Sequence, residues 1–327
     1  MKKNTFIKFS DVKSKIIKKK LKIGIIGYGI QGRAHALNLR DSGHSVLVYN
    51  INDNYKNDLK KDGFKITKIK DLLFYSNIIF FLIPDAVQEK FYNKYLLKNL
   101  KKGHTLVFAH GFSLHYKTIK IPKNINTLLL APRNPGKIVR DKFLNNSGSI
   151  AFYDIHQDYT KSAEKIAYTL AKDLGFIKGG LLKVSIEDET KIDLFIEQFM
   201  APLFYRSVYE SLTFLTSKGL NSLAASLELY LSGETGTVRL MQSKYGLYNA
   251  LIKNASPTCQ FGIANSYPTI FPKELKQKMK KVFLNIENNK FAKELEKDRS
   301  KNFLDTKTFF NKLKKNIVSK NEKIILK

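Results

Sequence analysis

Apolar positions in the first half of the chain gather in short runs of strand length, separated by stretches with helical spacing. Ile23–Ile26, Val46–Val48, Ile78–Ile83, Thr105–Ala109, Thr127–Ala131 and Ser149–Tyr153 read as strands. Shorter strands are predicted near Phe6–Phe9 and Phe64–Ile66. Between them, Leu37 and Leu39 carry a helix that stops at Asp41-Ser42-Gly43. Further helices are predicted at Tyr55–Lys61, Ile69–Tyr75, Val87–Leu100 and Lys161–Leu174, with Gly63, Gly103 and Gly175 closing three of them. Ile78–Ile83 is apolar throughout, as in a strand buried on both faces. This alternation predicts a doubly wound parallel α/β sheet. From Glu187 the strand pattern disappears. Asp188–Tyr209, Glu210–Lys218, Leu220–Leu231 and Thr235–Tyr245 read as helices, and the tail stays helical to about Lys315 with proline breaks at 257, 268 and 272. The expected organisation is an N-terminal dinucleotide-binding domain over 1–182 and an all-helical domain over 183–327.

Composition narrows the function classes. The chain has 327 residues and 43% hydrophobic content, ordinary for a soluble globular protein. The N-terminus lacks an unbroken apolar stretch of the kind a signal peptide needs, and no apolar run approaches membrane-span length. Cys259 is the single cysteine, which excludes an intramolecular disulfide and fits a reducing, cytoplasmic setting. The formal charge of +29 invites a nucleic-acid reading, but only seven of the 57 basic residues are arginine and the lysines are scattered. Base readout favours arginine forks, so the charge reads mainly as solvated surface, with no nucleic-acid partner expected.

The candidate chemistry starts at the first strand. Gly27, Gly29 and Gly32 have the spacing G-x-G-x-x-G, with a strand before and a helix after. The first glycine permits the tight turn, the second lets a pyrophosphate approach, and the third allows close packing of helix on strand. Free amides at the helix N-terminus favour the diphosphate. His110 follows a strand, at the end where open α/β sheets keep their ligands. The loop 131–136, Ala-Pro-Arg-Asn-Pro-Gly, follows the next strand, and its Arg133 could hold a carboxylate or phosphate. In the acidic helix 187–199, Asp193 and Glu197 are four apart and share a face, with Glu189 four further back. The apolar residues around them predict a mostly buried helix. Carboxylates there would suit a hard cation such as magnesium, or else form a solvated stripe with Lys191. Glu228 lies on another apolar helix, with Glu234 shortly after.

With these residues laid out, the chain resembles ketol-acid reductoisomerase in its short form, from about residue 20 to 300. The resemblance rests on IGYGIQGRAHALNLRDSG, on IPD followed by Gln88, on LKKGHTLVFAHGFSLHY, APRNPGKIVR, EDETKIDLFIEQ and SPTCQFG. It implies a Rossmann domain followed by a knotted all-helical domain, with active sites shared across a homodimer or larger homo-oligomer. The implied reaction converts 2-acetolactate or 2-aceto-2-hydroxybutyrate in two steps. An alkyl group migrates with the help of two magnesium ions, and a nicotinamide, NADP or else NAD, then delivers hydride.

The resemblance also assigns residues. Tyr28, Gly29, Ile30 and Gln31 would bind the cofactor together with Gly27, Gly32, Asn52, Asp85, Ala86, Val87, Gln88 and Gly136. His110 and Arg133 would be catalytic. Asp193 and Glu197 would be metal ligands, joined by Glu228 and Glu234 from the other subunit, where Ser256 would hold substrate. The chain departs from the family at several positions. Arg133 stands where the family has lysine, Arg33 where it often has histidine, and Ser232 where a second glutamate is expected. The loop Asn50-Ile51-Asn52-Asp53-Asn54 lacks the usual arginine for a 2′-phosphate, with Lys56 the nearest replacement. Two other readings compete: a divergent Rossmann 2-keto-acid reductase, or mere cofactor binder, that lost the isomerase step, and a basic binding protein on the same scaffold.

Overall fold

A computed structural model describes residues 6–51 and 53–326. The chain forms two compact units, residues 1–192 and 193–327.

The first unit is built on seven strands: β1 Lys22–Ile26, β2 Ser45–Tyr49, β3 Ile78–Phe81, β4 Thr105–Phe108, β5 Asn126–Pro132, β6 Ala151–Gln157 and β7 Leu181–Lys183. Their order is β2-β1-β3-β4-β5-β6-β7. β1 pairs in parallel with both β2 and β3, so the winding reverses there and opens a crevice beyond the strand ends. β3, β4 and β5 continue in parallel. The parallel sheet expected from the sequence fails at β6, which runs antiparallel to β5 with Ala151 opposite Pro132. The chain leaves β5, makes the helix Gly136–Leu144 and re-enters at the same edge of the sheet. Alternating strand and helix patterns do not encode the edge of re-entry. The other two predicted strands shrink to single bridges, Ile7 to Leu181 and Ile66 to Val48. β3 and β4 are buried along their whole length, as their unbroken apolar sequences require.

The second unit is helical, with no strand among its described residues. A wide turn at Ile196–Met200 runs straight into the helix Ala201–Ser217, without the break expected near Glu210. Ser222–Ser226 follows, capped by the Asn221 side chain, and opens into a second wide turn at Leu227–Leu231. Both are π turns: Ala201 N–H donates to Ile196 C=O, and Ser232 N–H to Leu227 C=O. Gly233 then adopts a left-handed conformation at φ 83° and starts a new helix, Glu234–Tyr245. Six more helices follow: Leu247–Asn254, Pro257–Ser266, Lys273–Glu287, Lys290–Ser300, Leu304–Leu313 and Ile317–Ile325. The helical tail therefore reaches ten residues beyond the expected end. No helix among the described residues is long and apolar enough to cross a membrane.

Candidate active site

The glycine turn joins β1 to the helix Ile30–Asp41. Gly27 has φ 101°, and a Cβ there would lie 2.8 Å from the Leu82 backbone, so only glycine fits between β1 and β3. A Cβ on Gly32 would lie 1.8 Å from Gly27 O, so this glycine lets the helix sit against its own turn. Gly29 differs from both: a Cβ there meets no atom within 4 Å. The protein gives no packing reason for glycine at that position, and the space beside the helix N-terminus is what a pyrophosphate needs. On that observation the turn fits a dinucleotide. Gln31 bridges to the next loop, its Nε2 donating to Asn134 O at 2.8 Å. Its Oε1 is buried without a hydrogen-bond partner among the described residues. Ile30 beside it is 66% exposed.

Other residues expected at the cofactor also have contacts of their own within the protein. Tyr28 is buried, and its hydroxyl donates to Asp62 Oδ2 at 2.7 Å. Burial and that carboxylate push the phenol well above its ordinary pKa. Only the Tyr28 backbone faces the turn, its N–H donating to Asn50 Oδ1 at 3.0 Å. Gln88 is buried too: its Nε2 donates to Ile83 O, and its Oε1 accepts from Ser113. It braces the crevice wall from inside. A Cβ on Gly136 would lie 1.8 Å from Ile30 O, so Gly136 brings the helix Gly136–Leu144 against the start of Ile30–Asp41. Ala86 is half-buried and Val87 exposed on the helix Asp85–Phe91. Asn52 lies outside the described residues. Arg33 bridges two acids, with Nε donating to Asp62 at 2.6 Å and Nη1 to Asp58 at 2.9 Å, while Lys56 is exposed.

At the carboxyl ends of β3, β4 and β5, four polar side chains come together in two pairs. His110 follows β4, and its Nδ1 lies 2.7 Å from Asp85 Oδ2, just after β3. A carboxylate accepts only from a protonated nitrogen, so Asp85 fixes the ring orientation and holds the proton on Nδ1. Asp85, expected at the cofactor, thus orients the histidine. Arg133 follows β5 and donates from Nη2 to Glu189 Oε1 at 2.8 Å. Its guanidinium also lies over the Phe152 ring, 4.9 Å from the centroid. Glu189 is completely buried, and its Oε2 accepts the Gly111 N–H at 2.9 Å. A Cβ on Gly111 would collide with Thr190 and Glu189, at 2.4 and 2.9 Å, so glycine is required beside the histidine. Glu189 therefore links the loops that carry His110 and Arg133. Spacing marks it as one of several acids and gives no sign of this role.

The helical unit corrects the expectation of buried acids. Asp193 is half-buried and Glu197 exposed, while Ile192, Ile196 and Met200 are 49%, 51% and 45% exposed. In the stretch 187–199 the buried carboxylate is Glu189. Glu197 lies in the first π turn and Glu228 in the second. Glu228, Glu234 and Ser256 are exposed, and the Ser256 hydroxyl caps its helix by accepting the Cys259 N–H at 3.2 Å. Glu228 and Glu234 are separated by the Gly233 break, so they do not share one helix. Among the described residues of the single chain, no three acidic, histidine or cysteine side chains converge as a metal cage. Asp193 and Glu197 are oxygen donors one helical turn apart, and magnesium is commonly held by one or two carboxylates with waters and substrate oxygens completing its shell. The donor chemistry thus fits that ion.

Comparison with known proteins decides the family. Residues 16–180 match the acetohydroxy acid isomeroreductase NADPH-binding domain, and residues 186–325 match the ketol-acid reductoisomerase C-terminal domain. The chain belongs to the ketol-acid reductoisomerase family. The NADP(+) ketol-acid reductoisomerase of Pyrobaculum islandicum is 35% identical over 274 residues, 83% of this chain and 82% of that one. Its counterpart from Pyrobaculum neutrophilum is 32% identical over 300 residues, 91% of each chain. A solved NADH-preferring ketol-acid reductoisomerase from an uncultured archaeon superposes with a TM-score of 0.88 at 26% identity, covering 93% of both chains. As a ketol-acid reductoisomerase the protein is an NAD(P)H-dependent oxidoreductase of branched-chain amino-acid synthesis acting on a small molecule. The NADPH-binding domain and the NADP-named relatives support NADP as its cofactor.

Proposed function

We propose that this reductoisomerase acts on 2-acetolactate and 2-aceto-2-hydroxybutyrate with magnesium, in the cytoplasm, as a homodimer or larger homo-oligomer. A division between residues 182 and 183 belongs to the same reading, with cofactor on one side and metal and assembly on the other. The observation that carries it is the pair of braced side chains, His110 on Asp85 and Arg133 on Glu189, at the end of the sheet where the glycine turn also opens. Asp85 keeps the His110 proton on Nδ1, which leaves Nε2 to exchange a proton with substrate or water. Arg133 presents a charged fork of N–H donors, which suits it to orienting an anionic substrate. The Gly27–Gly32 turn and the start of the helix Asp85–Phe91 would hold the nicotinamide coenzyme, with Ala86 and Val87 facing it and Asp85 and Gln88 supporting that wall; the coenzyme supplies hydride when bound.

Asp193 and Glu197 would hold magnesium, joined by Glu228 and Glu234 of a second copy, with Ser256 holding the substrate; the ion would supply Lewis-acid polarisation of adjacent oxygens. Ser232 in place of a glutamate leaves one fewer carboxylate for the second ion. The exposed apolar side chains of the helical unit support a second copy: Tyr205, Leu240, Phe261 and Ile270 are each at least 70% exposed.

The test mixes protein, magnesium, NADPH and 2-acetolactate and follows absorbance at the nicotinamide band. Loss of absorbance that stops on chelation supports the proposal. Reduction of 3-hydroxy-3-methyl-2-ketobutyrate without any turnover of acetolactate would select the divergent reductase instead.

A further inference from the structure

The C-terminal helix Ile317–Ile325 packs on the helices Ala201–Ser217 and Ser222–Ser226. It grips the second π turn on both sides of Glu228. Asn321 is 5% exposed, and its Nδ2 donates to Ser222 O and to Ser226 Oγ, both at 2.9 Å. Ser226 is itself fully buried, and its hydroxyl also donates to Ser222 O at 2.9 Å. One residue along, Glu322 Oε1 accepts from the Tyr230 hydroxyl at 2.8 Å. Ser222, Ser226 and Tyr230 are spaced four apart and form one stripe facing the C-terminal helix. Glu228 lies two residues from both Ser226 and Tyr230. Two residues turn a helix by about 200°, so Glu228 falls on the opposite face, where it is exposed.

A π turn is rare, occurs mostly as a single-turn bulge inside an α-helix, and is frequent at functional sites. The helices Ala201–Ser217 and Glu234–Tyr245 also lie against this turn. The C-terminal helix adds side-chain hydrogen bonds at both of its ends, with Asn321 donating at Ser226 and Glu322 accepting at Tyr230.

We propose that the C-terminal helix is a positioning element for the metal centre, with Asn321 and Glu322 fixing the rotation of the π turn that presents Glu228. This rests on the reading of Glu228 as a magnesium ligand. Neither residue touches metal or substrate; both act through Ser226 and Tyr230, as outer-shell partners do at metal sites generally.

The test measures magnesium affinity of the full chain by calorimetry, and the apparent KM for magnesium separately from kcat at saturating ion. Asn321→Asp keeps the side-chain size but cannot donate. Tyr230→Phe removes the second grip and serves if the first variant fails to fold. Asp298→Ala is the structural control: its carboxylate accepts from Asp305 N–H and Thr306 N–H in a helix connection of the same unit, away from this stripe. Asn321→Asp and Tyr230→Phe are expected to weaken magnesium binding about tenfold, with kcat at saturation kept within about a factor of two. Asp298→Ala is expected to lower the Tm without weakening the ion. If the two grip variants lose only Tm, as the control does, the proposal is overturned. Glu228→Gln separates the layers: if it leaves magnesium affinity unchanged, the ligand reading fails first and takes the proposal with it.

Discussion

Replacing Glu189 tests whether one buried carboxylate holds together the loops that carry His110 and Arg133. Glu189 is fully buried and accepts from Arg133 Nη2 at 2.8 Å and from Gly111 N–H at 2.9 Å. A hydrogen bond to a charged group contributes about 1.5–3 kcal/mol, and breaking a fully buried ion pair costs about 3–5 kcal/mol. The Arg133 side chain is 22% exposed, so water can take over at its end and the larger figure is reduced. The Gly111 amide lies in the buried loop and would lose its acceptor outright. Glu189→Ala is therefore expected to destabilise the protein by about 3 kcal/mol. Glu189→Gln keeps an acceptor for Gly111 but not the charge facing Arg133, and about 1–2 kcal/mol is expected. Because Gly111 follows His110 directly, the alanine variant should also let the imidazole drift. Its kcat should fall about 10- to 100-fold, as small misplacements of a reacting group do, while NADPH affinity stays within about a factor of two. Urea unfolding gives the first quantity, and steady-state kinetics with a coenzyme titration give the others. A Glu189→Ala protein within about 0.5 kcal/mol of the parent, with kcat intact, would refute the idea that this carboxylate ties the loops.

Two further outcomes follow from the same geometry. Gly29→Ala should leave stability within about 0.5 kcal/mol of the parent yet weaken NADPH binding at least tenfold. Gly32→Ala should lose about 3 kcal/mol or more, because its Cβ would lie 1.8 Å from Gly27 O; nicotinamide fluorescence and thermal melts on both variants check the contrast. Burial pushes the His35 pKa down to about 4, and burial followed by the nearby Lys101 charge pushes His104 down to about 4. In the unfolded chain both titrate near about 6.5, so the unfolded state binds the extra protons first as pH falls. Their contribution is complete above about pH 6.5 and is lost on the way down to about pH 4. For His35 the loss between pH 7.5 and pH 5 is about 2 kcal/mol. Urea midpoints across that window should fall, and His35→Leu should flatten the slope; an unchanged slope would exclude His35 as a source.

How much of the site could be read from the sequence depended on whether one residue type sufficed. Gly27 and Gly32 carry their reason in themselves, since no other residue clears the Leu82 backbone or the Gly27 carbonyl, and their spacing between a recognisable strand and helix locates the turn. His110 was found because its strand could be recognised by its apolar run. Glu189 could not be singled out from Glu187, Asp188 and Asp193. Its burial comes from Arg133, 56 positions earlier, and from the Gly111 amide, and neither leaves a trace in the local pattern. The direction of β6 was hidden in the same way, since it depends on where the chain re-enters the sheet.

The helix carrying Asp193 failed for a different reason. Apolar neighbours predict a buried helix, yet Ile192 and Ile196 are about half exposed in the single chain. Apolar side chains that a chain leaves open are costly to keep in water. In the proposed homo-oligomer these side chains would cover a surface of a second copy. On that view the periodicity around Asp193 and Glu197 does report burial, but burial against a second chain. The same second chain would have to supply Glu228, so whatever masks Ile192 and Ile196 should also complete the metal site. Loss of the assembly and loss of magnesium binding should then occur together on dilution.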